Sequence, residues 1–188
     1  MICPARCSQS LQERDVNPDI WNRQDGCTSS FPNGQSVWVR HCTHELSRPA
    51  VLNFAVGLAC LPRQGDRVPV GTKCYFTGWG ATSYRSAKSI TLQQTPLPIV
   101  SYQTCQAGNS WFQPVNNFSM VCAGFGGNTP ISGCIGDSGG PLICKENGQW
   151  FVRGAVSWGD PKCRAGTTYT VFARISSFVD WIKKHTGL

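Results

Sequence analysis

At 188 residues, 40% of them hydrophobic, the chain is long enough to bury one ordinary core or two small ones, and its Gly 20 and Pro 12 favour strands and turns over long helices. The net charge of +7 is uneven, with ten Lys/Arg against four Asp/Glu in residues 71–188 and seven against six in residues 1–70. These basic residues are not interleaved with aromatics, which argues for a solvated basic surface and against a nucleic-acid partner, and no apolar run approaches membrane-spanning length.

Three zones follow one another along the chain. Residues 1–45 are polar, hold Cys3, Cys7, Cys27 and Cys42, and show no sustained apolar periodicity. The opening MICPARCSQSLQERD has no apolar core of a secretory leader, so the expectation is a chain without one. Eleven cysteines nevertheless point to an oxidising, extracellular compartment, and Asn117-Phe118-Ser119 is a glycosylation acceptor that fits it. The conflict reads as a chain that is incomplete or rearranged. Residues 46–72 form a proline-punctuated strap, LSRPAVLNFAVGLACLPRQGDRVPVGT. From Lys73 onward, strand-like runs recur at regular spacing: KCYFTGWG, ITLQQTPLPIV, FSMVCAG, PLICKENGQWFVRGAVSWG and TYTVFARI. Turn residues such as Glu146-Asn147-Gly148 separate them, which predicts a small antiparallel barrel or sandwich. The closing SSFVDWIKKH predicts a helix with Phe178, Trp181 and Ile182 on one face. Ser176 or Ser177 would cap it, and Lys183 and Lys184 would suit its C-terminal end.

The chemistry is concentrated in residues 134–144, CIGDSGGPLIC. The small residues around Ser138 let the backbone turn sharply, so that the N–H groups of Gly136 and Ser138 can converge on one developing oxyanion. Donors preorganised in this way are worth roughly 3–4 kcal/mol each in acyl transfer. A Gly-rich hairpin with an incidental serine is the alternative. The flanking Cys134 and Cys144, Pro141 and the downstream Ser157-Trp158-Gly159 speak against it.

With CLP at 60–62, GWG at 78–80, VCAG at 121–124, GDSGGP at 136–141, SWG at 157–159 and VFARISSFVDWI at 171–182, the chain from about Leu46 to Leu188 resembles the chymotrypsin-like (S1) family of serine endopeptidases. The resemblance implies an all-β fold, a double β-barrel in which residues 46–72 are the interdomain strap and a remnant of the first barrel. Residues 73–188 would supply the complete second barrel and the C-terminal helix. It implies Ser138 as nucleophile, Gly136 and Ser138 as the oxyanion hole, and Asp137 as the acid that pairs with a newly freed N-terminal amine on activation. Ser157, Trp158 and Gly159 would bind the substrate backbone as an added strand. Ser132 falls at the pocket floor beside Gly133, with Gly159 and Thr170 on the walls. With no carboxylate on that floor, the implied preference is for apolar side chains. Neither a cofactor nor a metal is implied, and the expected partners are a peptide or protein substrate or a protease inhibitor. The resemblance also implies the disulfides Cys74–Cys144, Cys105–Cys122 and Cys134–Cys163. Cys3, Cys7, Cys27, Cys42 and Cys60 remain, an odd number, so at least one is free or pairs outside the chain.

A serine nucleophile needs a base, and the only histidines are His41, His44 and His185. His185 falls in the predicted helix. His41, next to Cys42, is the candidate base. Three features weigh against it: the small residues that precede the family's histidine are missing, too few residues separate Cys42 from Cys60 for the rest of a first barrel, and no aspartate lies between Asp25 and Asp66. Nor is there an IVGG-like activation site. The expectation is therefore a truncated protease domain with little or no activity, the alternative being a non-catalytic homologue that binds peptides or inhibitors. Residues 1–45 also faintly resemble a ShK-type toxin domain, without its six-cysteine framework. The spacings of Cys3, Cys7, Cys27, His41, Cys42 and His44 match no common zinc site.

Overall fold

The structure is a computed structural model and describes residues 28–30, 39–41, 46, 49–127, 132–164, 166 and 168–188. Cys3, Cys7, Cys27, Cys42 and His44 lie outside the described residues. Two short strands, β1 (Thr28–Ser30) and β2 (Val39–His41), pair antiparallel with Thr28 opposite His41. Six further strands follow: β3 (Lys73–Gly78), β4 (Gln93–Val100), β5 (Met120–Ala123), β6 (Pro141–Glu146), β7 (Gln149–Trp158) and β8 (Thr170–Arg174). They close into a barrel in the order β3-β4-β5-β8-β7-β6, so the fold is all-β.

Alternation builds the barrel interior. Cys74 and Phe76 on β3, Leu97 and Ile99 on β4, and Leu142 and Cys144 on β6 point inward at every second residue, and Phe172 on β8 meets Phe76 edge-on. Closure leaves the barrel without free edges. Pro96 and Pro98 fit inside β4 because β5 pairs with it only at Ile99 and Val100, beyond the two prolines. Between β6 and β7, Asn147 (φ 48°) and Gly148 (φ 82°) form the tight turn that the twist of a two-residue hairpin demands. The strap joins the barrel at Cys60, whose N–H donates to the Trp150 carbonyl at 3.1 Å and whose carbonyl accepts from Val152 at 3.0 Å.

The sequence reading missed a helix, α1 (Tyr102–Asn109), capped by the Ser101 hydroxyl accepting from the Thr104 N–H at 3.0 Å. A second apolar cluster, Cys105, Val115, Met120, Cys122 and Val171, lies beneath it. The C-terminal helix α2 (Val179–Thr186) forms, but Ser176 and Ser177 do not cap it. They lie in a 3-10 turn, Ile175–Ser177, and are buried, with their hydroxyls donating to the carbonyls of Asp66 (2.6 Å) and Phe118 (2.5 Å). Tertiary acceptors took these donors, leaving the helix without a side-chain capping hydrogen bond at Phe178. Asp180 in the first turn, and Lys183, Lys184 and His185 in the last, complement the helix dipole.

Disulfides join Cys74 to Cys144, Cys105 to Cys122 and Cys134 to Cys163. No described helix is long and apolar enough to cross a membrane. Asn117 is exposed, whereas Ser119, the other end of its glycosylation motif, is buried.

Candidate active site

The loop before β6 is held by its own backbone. The N–H of Asp137 donates to the Cys134 carbonyl (3.1 Å), that of Gly140 to the Asp137 carbonyl (2.8 Å), and that of Gly139 to the Val156 carbonyl on β7 (2.9 Å). The N–H groups of Gly136 and Ser138 have no acceptor among the described residues. The Ile135 N–H is the other loop donor without one, and both Gly136 and Ser138 are exposed. Gly136 has φ +99°, a conformation that L side chains rarely adopt, so the loop's shape requires glycine there.

Asp137 points the other way and is buried, 7% exposed. Its carboxylate accepts from the N–H of Gly80 (2.8 Å) and of Cys134 (3.0 Å). The Gly78-Trp79-Gly80 segment packs so tightly on it that a Cβ on Gly78 would stand 2.1 Å from Oδ1, and one on Gly80 2.4 Å from either oxygen. Among the described residues no cation pairs with this carboxylate within ion-pair distance. Backbone N–H donors alone satisfy it.

The residues expected to form a substrate pocket come from three elements. The Gly133 N–H donates to Thr170 Oγ1 at 3.0 Å, and a Cβ on Gly133 would lie 3.1 Å from the Thr170 methyl, so the start of β8 packs on the 132–134 segment. Ser132 donates to the Cys163 carbonyl at 3.3 Å, next to the Cys134–Cys163 disulfide. A Cβ on Gly159 would lie 3.9 Å from the Thr170 Cα. A register shift between Val156 and Trp158 leaves Ser157 without a partner on β8 and turned to solvent. The Trp158 indole stacks tilted on Phe112, and its N–H is buried with no acceptor among the described residues.

Two residues beside this group were not foreseen. Lys88 is exposed, but its aliphatic stem lies across Gly136, with Cε 2.9 Å from where a Cβ would be; an isolated bridge between Ala81 and Lys88 aims it there. Asp160 is buried next to Gly159, accepts from the Lys162 N–H (2.6 Å) and pairs with Arg164 at 3.0 Å. Lys88 had no sequence signal, since its contact with Gly136 spans a loop whose path only the fold defines, whereas the contacts of Asp160 are with residues two and four positions on. His41 has its backbone in β2, and its side chain lies outside the described residues. His185 sits on α2, stacked on Trp181, with Nδ1 2.8 Å from the Trp181 carbonyl. Among the described residues no three His, Cys, Asp or Glu side chains cluster to hold a metal ion.

The chain that forms this closed six-stranded barrel and its exposed serine loop matches a known family in sequence. The family model described as Trypsin covers residues 41–182. The chain belongs to the trypsin family. It is 43% identical over 174 residues to chymotrypsin-like elastase family member 1 of Bos taurus, a match that covers 92% of this chain and 60% of that protein. It is 42% identical over 146 residues to chymotrypsin-C of Bos taurus (77% of this chain, 53% of the relative) and 42% over 154 residues to chymotrypsin-C of Rattus norvegicus (81% and 56%). The chain thus spans a little over half the length of the curated relatives it matches. A match over 92% of the chain cannot fit within residues 46–188, so the likeness runs upstream of Leu46, further than the motifs alone indicate.

Proposed function

We propose that the chain is the nucleophile-bearing part of a serine endopeptidase of this family, with Ser138 attacking the scissile carbonyl and the Gly136 and Ser138 N–H groups receiving the oxyanion. The observation that carries this reading is the pattern of loop hydrogen bonds. The N–H groups of Asp137, Gly139 and Gly140 are all engaged, while those of Gly136 and Ser138, the two that the chemistry needs, are without an acceptor among the described residues, as is that of Ile135. Ser132, Gly133, Gly159 and Thr170 form an uncharged specificity pocket, and Ser157 to Gly159 pair with the substrate backbone. Cleavage follows apolar side chains, because a buried Lys or Arg on the Ser132 floor would lack a counter-charge. Residues 46–72 act as the strap to a reduced first barrel. Three disulfides suit a secreted protein.

Turnover by this chain is low. A serine hydroxyl is a poor nucleophile without a positioned base, and no aspartate lies between Asp25 and Asp66 to orient His41. Asp137, held by N–H donors without a described cation, favours the second reading, a homologue that binds peptides or inhibitors without hydrolysing them. A fluorophosphonate probe and an apolar chromogenic peptide separate the two. Labelling lost in Ser138→Ala, with slow turnover, supports the impaired protease. Inhibitor binding with no labelling supports the binding protein. Turnover at rates ordinary for the family, abolished by both Ser138→Ala and His41→Ala, would show that His41 is a competent base and overturn the low-turnover reading.

A further inference from the structure

A cavity of about 270 Å³ opens where the strap crosses the barrel, between Asp66–Val70, the end of β4, the start of α1, β5 and the end of β8. It shares no residue with the Ser138 loop. Three guanidinium groups line it, and they are not equivalent. Arg153 is neutralised, with Asp66 at 2.8 Å and Glu146 bonded to its other nitrogens. Arg67 donates to the side-chain oxygen (3.0 Å) and the carbonyl (3.1 Å) of Asn117. Arg174 donates through Nε to the Met120 carbonyl at 3.1 Å, with a second bond from Nη2 to the same oxygen. The acceptors of Arg67 and Arg174 are all neutral. Among the described residues, neither Arg67 nor Arg174 has a carboxylate partner.

The cost of this arrangement falls on Arg174. Burial lowers its pKa to about 10, and the charge of Arg67 acts in the same direction. It stays charged at neutral pH, so two like charges share one cavity wall. The first turn of α1 adds to the positive potential. The N–H groups of Tyr102 and Gln103 have no acceptor among the described residues, and the helix dipole places its positive end there. The volume is several times the ~30 Å³ of one water.

We propose that this cavity binds a tetrahedral oxyanion, a sulfate or phosphate group, on the guanidinium groups of Arg67 and Arg174. Such a group accepts from two guanidinium forks at once and supplies the charge that the neutral acceptors do not. It could come from an inorganic ion or from a sulfate ester on an acidic polysaccharide. The inference does not depend on the reading of Ser138, and Ser138→Ala should bind the anion unchanged.

The test is calorimetry and thermal unfolding of the full chain with sodium sulfate against sodium chloride at equal ionic strength, and with a sulfated hexasaccharide. Sulfate-specific binding with a dissociation constant below about 10 mM is expected, with a rise in melting temperature that chloride does not reproduce. Arg67→Gln, at an exposed position that leaves the barrel core untouched, should weaken it at least tenfold, and Arg174→Gln at least as much. Arg67→Lys should recover part of the loss. Inorganic sulfate alone binding would identify a free-ion site, and tighter binding of the hexasaccharide would identify a polysaccharide site. Equal effects of sulfate and chloride, or sulfate affinity indifferent to Arg67→Gln, would overturn the proposal.

Discussion

Replacing Gly80 by alanine probes whether the buried Asp137 carboxylate holds the Ser138 loop. The new Cβ would stand 2.3 Å from the Asp137 Cγ and 2.4 Å from each carboxylate oxygen, well inside any tolerable contact. Either the carboxylate or the 78–80 segment must move. In both cases the bonds from the N–H of Gly80 (2.8 Å) and Cys134 (3.0 Å) are lost or lengthened. Hydrogen bonds to a charged group contribute about 1.5–3 kcal/mol each, and a displaced carboxylate regains part of that from water. Gly80→Ala should therefore destabilise the domain by about 3 kcal/mol, a drop in melting temperature of roughly 6–12 °C for a chain of this size. Asp137→Ala removes the atoms that clash, so Gly80→Ala should cost far less in the Asp137→Ala background. A double-mutant cycle by thermal and urea unfolding measures this coupling, expected at about 2 kcal/mol. Fluorophosphonate labelling of Ser138 should fall in Gly80→Ala at temperatures where the barrel is still folded. Additive costs in the cycle, or a melting temperature within 1–2 °C of the parent (roughly 0.5 kcal/mol), would refute the argument.

Four further outcomes are expected. Removing the Cys74–Cys144 disulfide (separation 70) should cost about 1 kcal/mol more than removing Cys105–Cys122 (separation 17), since loop entropy grows with the logarithm of length; equal losses in urea unfolding would count against that account. Arg153 is 5% exposed; burial opposes its charge, but hydrogen bonds to Glu146 and Asp66 outweigh it and raise its pKa. Arg153→Met should cost about 2 kcal/mol, discounted from the 3–5 of a fully buried pair because Asp66 and Glu146 reach solvent, and Arg174→Met should cost less because no carboxylate is stranded. Asn109→Leu should cost about 2–3 kcal/mol, since the buried amide exchanges bonds with both backbone groups of Tyr169 and the apolar replacement leaves them unsatisfied. Fused to the first barrel of a related protease, the chain should cleave after Leu or Phe faster than after Arg, and the reverse order would sink the assignment of Ser132 as pocket floor.

The sequence by itself determined a small antiparallel barrel or sandwich and the place of the proposed nucleophile, because both are written in local patterns. Alternation through KCYFTG and PLICKE selects the inward face, Asn147-Gly148 favours the hairpin, and the glycines around Ser138 permit a sharp turn. The resemblance carried by GDSGGP and VFARISSFVDWI extended that to a family. The rest was decided by contacts between segments far apart in the chain. Ser176 and Ser177 had the sequence of helix caps, yet the carbonyls of Asp66 and Phe118 took their hydroxyls. Helix α1 has little amphipathic pattern and exists because Ser101 caps it and the Cys105–Cys122 bond anchors it to β5. Nothing in the spacing of Lys88 from Gly136 foretells that one lies across the other. Nor could the excess of arginines reveal which are neutralised: Arg153 meets Asp66 and Glu146, while Arg67 and Arg174 face a shared cavity with only neutral oxygens to bond. Charge is a property of composition, but its compensation depends on distance, and distance is set only when the strap crosses the barrel.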